Sequence, residues 1–135
     1  MANKKRKGGF TLIEVLITIF ILAIVLMTLV SAFIYGYNLL SRTKQVSLAT
    51  QIAQEEIETI RNMPYDNILA LGSSFTNERL SDLLNGQGVL AIEAVPGDTT
   101  GNIKKLTASV RWTFKGQQMR KDIVTYVTRE GINKK

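Results

Sequence analysis

One carboxylate stands alone in a long apolar segment, and its chemistry needs an explanation. From Phe10 through Leu40, Glu14 is the only charged side chain. An acidic residue at the centre of a bilayer costs about 2.5 to 3.5 kcal/mol, and less near the interface, so such a residue is a functional-site candidate by default. A nearby cation would offset this cost. Glu14 is therefore predicted to form an ion pair.

The apolar segment is long enough to cross a bilayer once. Its uninterrupted part, Phe10 to Val30, has 21 residues, which is about 31 Å of helix at about 1.5 Å per residue. Four consecutive basic residues, Lys4–Lys7, precede it, whereas only Arg42 and Lys44 follow soon after. This asymmetry predicts a cytoplasmic N-terminus and an exported globular part, because basic residues stay on the cytoplasmic side.

The junction between the basic and apolar stretches carries a recognisable motif, Gly9-Phe10-Thr11-Leu12-Ile13-Glu14-Val15. It resembles the type IV prepilin cleavage and methylation motif. The resemblance implies that a prepilin peptidase removes a leader of residues 1–9 by cutting between Gly9 and Phe10, and then N-methylates Phe10. It also implies that Glu14 faces the terminal amine of a neighbouring subunit in a filament. The implied partners are the peptidase, other pilin or pseudopilin subunits, and an inner-membrane assembly platform with its ATPase.

Physical chemistry is consistent with these roles. Glycine has no side chain to clash with a protease and is unfavourable inside a helix, so the helix is expected to start after Gly8 and Gly9. Cleavage would leave a positive amine on Phe10. At a separation of about 4 Å and an effective dielectric near 20, this amine and Glu14 of another subunit attract by about 4 kcal/mol before desolvation is subtracted.

Two simpler interpretations compete with this one. A single-span membrane anchor that never enters a filament explains the basic cluster and the apolar run, but neither the Gly9-Phe10 junction nor Glu14. A secretory signal peptide would carry a cleavage site of small residues after its apolar region. The segment from Leu16 to Leu40 is too long and offers no clear site of that kind.

Charge and composition argue against several function classes. The chain has 17 basic and 11 acidic residues, but four of the basic ones lie in the predicted leader, which leaves a side-chain charge of +2. The overall basicity therefore indicates orientation rather than nucleic-acid binding. The sequence has no histidine and no cysteine, so the commonest general base, metal ligand and thiolate nucleophile are missing. We expect no catalytic residue, no metal, no cofactor and no enzyme activity.

The helical pattern continues beyond the apolar segment and becomes amphipathic. No proline occurs between Phe10 and Met63, and Pro64 ends the run because proline cannot continue the helical hydrogen-bond ladder. Apolar residues recur every seven positions, with others beside them, in a stripe formed by Leu39, Val46, Ala49, Ile52, Ala53, Ile57, Ile60 and Met63. We expect this stripe to contact the domain of the same chain rather than to form a coiled coil between subunits.

The remainder predicts a connector and three strands. A turn at 64–67, a loop at 72–74 and a short helix at 77–84 come first. Strands are predicted at 89–95, 106–114 and 119–129, with a hairpin turn at 115–118. The fold class is α+β, with one long N-terminal helix packed on a small three-stranded antiparallel sheet. The predicted segments are the leader 1–9, a transmembrane and assembly half 10–37, an amphipathic half 38–63, a connector 64–88 and an antiparallel meander 89–135.

A finer resemblance extends over the rest of the chain. The helix end from Gln54 to Asp66, the Val110-Arg111-Trp112 strand and the later Thr-Tyr-Val-Thr strand are similar to V-type minor pilins and to the I-type minor pseudopilin of type II secretion. The predicted function is a minor pilin or pseudopilin subunit of a type IV pilus-like filament for pilus assembly, secretion or DNA uptake. Its predicted location is the cytoplasmic membrane, and after assembly a periplasmic or cell-surface filament.

Basic residues of the predicted sheet leave one further alternative. Lys104, Lys105 and Lys121 could contact DNA, as in a competence pilin. Lysines on strands are more often solvated residues that also discourage edge pairing. Both interpretations of these three residues remain open at this point.

Overall fold

The fold combines a long helix with a small antiparallel sheet. A computed structural model of the chain describes residues 9–98 and 101–129. Its elements are α1 (Leu12–Arg61), α2 (Tyr65–Ile68), β1 (Ser74–Phe75), a 3₁₀ helix (Glu78–Asp82), β2 (Gln87–Ala94), β3 (Ile103–Phe114) and β4 (Gln117–Thr128). The strands form one antiparallel sheet in the order β1-β2-β3-β4. The predicted α+β layout is confirmed, but the sheet has four strands instead of three.

The chain divides into two compact units, one ending at Leu40 and the other beginning at Ser41. Helix α1 contributes to both units. The predicted leader, apart from Gly9, lies outside the described residues, as does the end of the predicted meander after Arg129. The five predicted segment boundaries stay predictions.

The C-terminal end of α1 is set by Pro64. The helix ends at Arg61 rather than at the predicted Met63, and the next residues form a final turn in which Met63 N donates to Ile60 O at 3.0 Å. Proline disfavours a helical residue before it. Pro64 then precedes the short helix α2, with φ −57° and ψ 142°. The predicted turn at 64–67 is therefore the first part of a second helix.

The core of the second unit lies between the amphipathic part of α1 and the sheet. The helix contributes buried side chains at Ala49, Ile52, Ala53, Ile57 and Ile60. The predicted stripe thus packs within its own chain, as expected. Leu39 was wrongly included in it, because this side chain is 53% exposed and belongs to the first unit. The seven-residue spacing of apolar residues therefore extends to a part of the helix that precedes the part packed against the sheet.

Strand β3 provides most of the sheet's contribution to this core. Leu106, Ala108, Val110 and Trp112 are buried, and they alternate with residues on the opposite face. The indole nitrogen of Trp112 donates to Gln45 Oε1 at 2.9 Å, so its polar atom is satisfied inside the core. The strand begins at Ile103, earlier than predicted, because Lys104 and Lys105 pair with Ala94 and Glu93 of β2.

A two-residue turn joins β3 to β4. Lys115 and Gly116 have φ of 50° and 79°, which is the left-handed conformation that a type I′ hairpin turn requires. Strand β4 therefore starts at Gln117, two residues before the predicted strand. Along β4, Val127 is buried whereas Val124 and Tyr126 on the other face are exposed.

The additional strand, β1, is short and depends on a glycine in its neighbour. Phe75 pairs with Gly88 and is 8% exposed. A Cβ atom on Gly88 would lie 2.6 Å from Phe75 O and 2.7 Å from the phenyl ring. The ring therefore occupies the space that a side chain at position 88 would need. Ser74, predicted to lie in a loop, forms the other residue of the strand.

The connector is fixed to the polar side of α1 by hydrogen bonds. The predicted short helix is a 3₁₀ helix, which Asn77 caps by accepting from Arg79 N at 3.0 Å. The Arg79 guanidinium reaches Glu55 Oε1 at 2.7 Å and Gln51 Oε1 at 2.6 Å. Asn77 Nδ2 also donates to Glu55, at 3.2 Å. These bonds hold the segment between helix and sheet in place.

Candidate functional site

Helix α1 begins immediately after a capping residue, Thr11. The Glu14 N–H lies 3.3 Å from Thr11 Oγ1 and 3.0 Å from Thr11 O, and the Val15 N–H donates to Thr11 O at 3.2 Å. A threonine followed three residues later by glutamate is the sequence pattern of a capping box. Sequence reasoning missed this signal, which places the helix start at Leu12. Gly9 and Phe10 consequently lie outside the helix.

The Gly9-Phe10 peptide bond is open to solvent. Phe10 is 83% exposed, and a Cβ atom on Gly9 would have no heavy atom within 4 Å. A side chain at position 9 would therefore not clash with the described part of this chain. An effect of such a substitution on cleavage would reflect the fit to a peptidase rather than the folding of the substrate.

The Glu14 carboxylate has no ion-pair or hydrogen-bond partner within residues 9–98 and 101–129. Its side chain is exposed in the first turn of α1. Negative charge is favourable there, since the helix dipole is positive at this end. The dipole and the Thr11 cap explain why a carboxylate is tolerated at this position. They leave its acceptor oxygens available to a cation from another molecule.

The rest of the first unit has the surface of a membrane-spanning helix. An 18-residue window of α1 has a mean hydropathy of 2.9, and none of that window is buried. By length and composition the helix could cross a bilayer. The hydroxyl groups of Thr18, Thr28 and Ser31 are satisfied internally, because they donate to the carbonyls of Glu14, Val25 and Met27 at 2.7 to 2.9 Å.

Two tyrosines stand towards the end of this unit. Tyr35 and Tyr37 are each 73% exposed. Tyrosine is enriched at membrane-water interfaces, where its ring is apolar and its hydroxyl is hydrated. Counting from Leu12, the first residue of α1, Tyr37 lies about 38 Å along the helix, close to the thickness of a bilayer with its headgroups. The exposed tyrosines are consistent with a membrane boundary at this level.

The three lysines considered for DNA contact are not gathered on one surface. Lys104 and Lys121 share the helix-facing side of the sheet, because they pair with Val127 and Val110 of that face. Lys105 lies on the opposite face. Its Nζ is 3.0 Å from Glu93 Oε2, and the hydrogen bond and charge of this carboxylate raise the pKa of Lys105. The three lysines do not form one continuous basic surface, and DNA contact by them stays a prediction.

A cleft of about 290 Å³ in the second unit is held together by polar contacts. Arg129 reaches Asp66 Oδ1 at 2.7 Å and lies 5.5 Å from the centre of the Tyr65 ring, and the Tyr65 hydroxyl donates to Gly101 O at 2.8 Å. The cleft lining contains no carboxylate, imidazole or thiol. Across the described ranges, no group of three His, Cys, Asp or Glu residues could hold a metal ion.

Comparison with known protein families finds a match at the N-terminal end. Residues 4–30 match the family described as the prokaryotic N-terminal methylation motif. No curated protein and no solved structure matches the chain. The matched segment contains the Gly9-Phe10 bond, the Thr11 cap and Glu14. Together with the long helix and the small antiparallel sheet, this motif supports a type IV pilin-like protein that is a prepilin-type processing substrate.

Proposed function

We propose that the chain is the precursor of a minor pilin or pseudopilin subunit, which is processed at Gly9-Phe10 and enters a type IV pilus-like filament. The observation that carries the proposal is the methylation motif, which matches at residues 4–30. Two features of its geometry add support. The bond to be cut lies outside the helix, and Glu14, the fifth residue after it, has no ion-pair or hydrogen-bond partner among the described residues.

The processing step needs an accessible peptide bond. A prepilin peptidase adds water across the bond, so that Gly9 receives a carboxylate and Phe10 a free amine. The small Gly9 lets an enzyme approach the backbone closely. Replacement of one hydrogen of the Phe10 amine by a methyl group, supplied by a methyl donor, leaves the nitrogen able to carry a positive charge.

The new amine is a cation for Glu14, which has no ion-pair partner within residues 9–98 and 101–129. A local pair is disfavoured, because the dipole at the start of α1 repels a positive charge. In a filament the Phe10 amine of one copy can reach Glu14 of another. The pair removes two unpaired charges from an apolar environment, where an isolated charge is costly.

The exposed apolar side chains of α1 provide the surface for anchoring and assembly. Before assembly they contact lipid in the cytoplasmic membrane, with the leader in the cytoplasm and the sheet domain exported. During assembly, contacts with other pilin or pseudopilin subunits replace lipid contacts, so these apolar side chains never meet water. An inner-membrane platform and its ATPase supply the work of extraction. The chain itself acts as a structural subunit and catalyses no reaction.

Intact-mass measurement after co-expression with a prepilin peptidase tests this proposal. We expect the loss of residues 1–9 and the addition of one methyl group, and neither change without the peptidase. Gly9→Val should block both, although the side chain has room in the folded substrate. Gly36→Val is the matched control, since position 36 is also unobstructed, and it should be processed normally. Recovery of an intact wild-type chain in the presence of active peptidase would contradict the proposal.

A further inference from the structure

The outer edge of β2 is only partly covered by β1. The two strands pair at Ser74 with Val89 and at Phe75 with Gly88, and Leu90 N donates to Ser73 O at 2.9 Å. Alternate residues of an antiparallel strand present their N–H and C=O groups to the same edge. Ile92 and Ala94 therefore present theirs to the edge that Leu90 faces. No described strand pairs with that edge beyond Leu90.

A groove of about 340 Å³ runs along this uncovered edge. It is lined by residues of the connector and of the two neighbouring strands: Leu69, Leu71, Gly72, Ser73, Leu90, Ile92, Ala94 and Lys104. Apart from Ser73 and Lys104, the lining side chains are apolar. The other polar atoms available in the groove are therefore backbone groups, which suit the hydrogen bonds of an added strand better than the binding of a compact polar ligand.

Lys104 provides the charge that defines the occupant. It pairs with Ala94 across the sheet, so both side chains lie on the same face. The alanine side chain is small, and Lys104 reaches past it to line the groove. Unlike Lys105, it has no ion-pair or hydrogen-bond partner within the described ranges. A partly buried lysine side chain without a counter-ion among the described residues favours a ligand that carries a carboxylate.

We propose that the β2 edge binds an extended segment of a partner protein. This segment adds to the sheet as a strand that pairs with the edge N–H and C=O groups of Ile92 and Ala94. Every second side chain of this segment faces the groove. Aliphatic residues lie against Ile92 and Leu90, and an acidic side chain lies beside Lys104. Backbone hydrogen bonds give the register, and the ion pair with Lys104 selects the sequence. This site is independent of processing at Gly9-Phe10, so either proposal can fail without the other.

Fluorescence polarisation with a designed peptide tests the site on the full chain in detergent. The probe is a labelled, end-blocked peptide of sequence Thr-Glu-Thr-Val-Thr-Val-Thr. We expect saturable binding, weakened about two- to fivefold by Lys104→Gln, in line with one partly exposed ion pair. Lys121→Gln removes the same charge from the same face of the sheet, on β4, and should leave the affinity unchanged. Lys104→Glu should restore binding to a probe in which lysine replaces the glutamate.

A second probe separates strand addition from simple charge attraction. The same peptide, N-methylated at both valines, keeps its charge but loses backbone donors, and it should bind at least about tenfold more weakly if backbone hydrogen bonds carry the affinity. Hydrogen exchange at the Ile92 and Ala94 amides should slow when the unmodified peptide binds. No saturable binding, equal effects of Lys104→Gln and Lys121→Gln, or equal binding of the N-methylated probe would overturn the proposal.

Discussion

The same helix places chemically similar side chains in opposite environments at its two ends. Ile21 is 55% exposed, whereas Ile52 is completely buried. Apolar residues occupy nearly every position around Ile21, but around Ile52 they follow a stripe with polar residues on the other sides. Apolar content alone therefore does not predict burial within a subunit. A one-sided pattern predicts packing within the chain, and an all-round pattern predicts contact with lipid or with other molecules.

The acidic residues of the two regions differ in the same way. Glu55 accepts hydrogen bonds from Arg79 and Asn77 of its own chain. Glu14 has no such partner within the described ranges. A carboxylate satisfied internally stabilises the subunit, and one left unsatisfied is available for assembly.

The largest effect on stability is expected from a matched pair of isoleucine substitutions. Ile52→Ala should lower the free energy of unfolding of the second unit by about 2 to 5 kcal/mol, because it leaves a cavity in the core. Ile21→Ala removes the same atoms from an exposed position and should change the free energy of unfolding of the second unit little. Denaturant unfolding in detergent, followed by the fluorescence of Trp112, measures both. Equal losses of stability in the two variants would show that burial within the chain does not distinguish the two ends of the helix.

A pair of glycine substitutions tests the short strand β1. Gly88→Ala should cost about 1 to 3 kcal/mol, since its Cβ would lie 2.6 Å from Phe75 O and the strand would have to shift. Gly72→Ala, at a position without a neighbour within 4 Å, should be nearly neutral. The same unfolding measurement applies. Stability of the Gly88 variant equal to wild type would show that β1 is not held by this contact.

A pH-dependent effect is expected at Glu56 in the amphipathic part of α1. Partial burial raises the pKa of Glu56, so folding favours its protonated form. The stability that protonation contributes is present below the unfolded-state pKa of about 4.3, and it is lost as the pH rises through the higher folded-state pKa. Glu56→Gln should therefore raise the melting temperature at pH 7 by up to about 3 °C.

The gain from Glu56→Gln should disappear towards pH 4, where wild-type Glu56 becomes protonated. Thermal unfolding at the two pH values measures the difference. Glu58→Gln removes an equal charge from an exposed position on the same helix and serves as the control. A stabilisation of the Glu56 variant that is the same at both pH values would contradict the burial argument.

Local patterns were sufficient to predict most of the fold. The alternation of β3, the stripe from Val46 to Ile60 and the stop at Pro64 each depend on neighbours in the sequence. Strand β1 was missed because two residues carry no periodicity, and its formation depends on Phe75 meeting Gly88. Leu39 was wrongly assigned to the buried stripe, because the seven-residue spacing of apolar residues does not show where the sheet that they pack against ends.

Local sequence patterns also predict part of the candidate site. The motif around Gly9 and Glu14 identifies the positions, and the Thr11 cap could have been found from its spacing to Glu14. That Glu14 has no partner within the described chain required a structure. The grouping of Lys104 and Lys105 overlooked that adjacent strand residues point to opposite faces.

Incorporation of a Glu14→Gln variant into filaments tests whether the Glu14 charge is needed for assembly. Glutamine keeps the size and hydrogen-bonding capacity of the side chain, so it changes mainly the charge. In cells with the assembly system, we expect normal cleavage and methylation by intact mass, but at least about tenfold less of the variant in purified filaments than of wild type, since loss of one partner of a desolvated ion pair is strongly unfavourable. Equal amounts of processed wild type and variant in the filaments would show that assembly does not depend on the Glu14 charge.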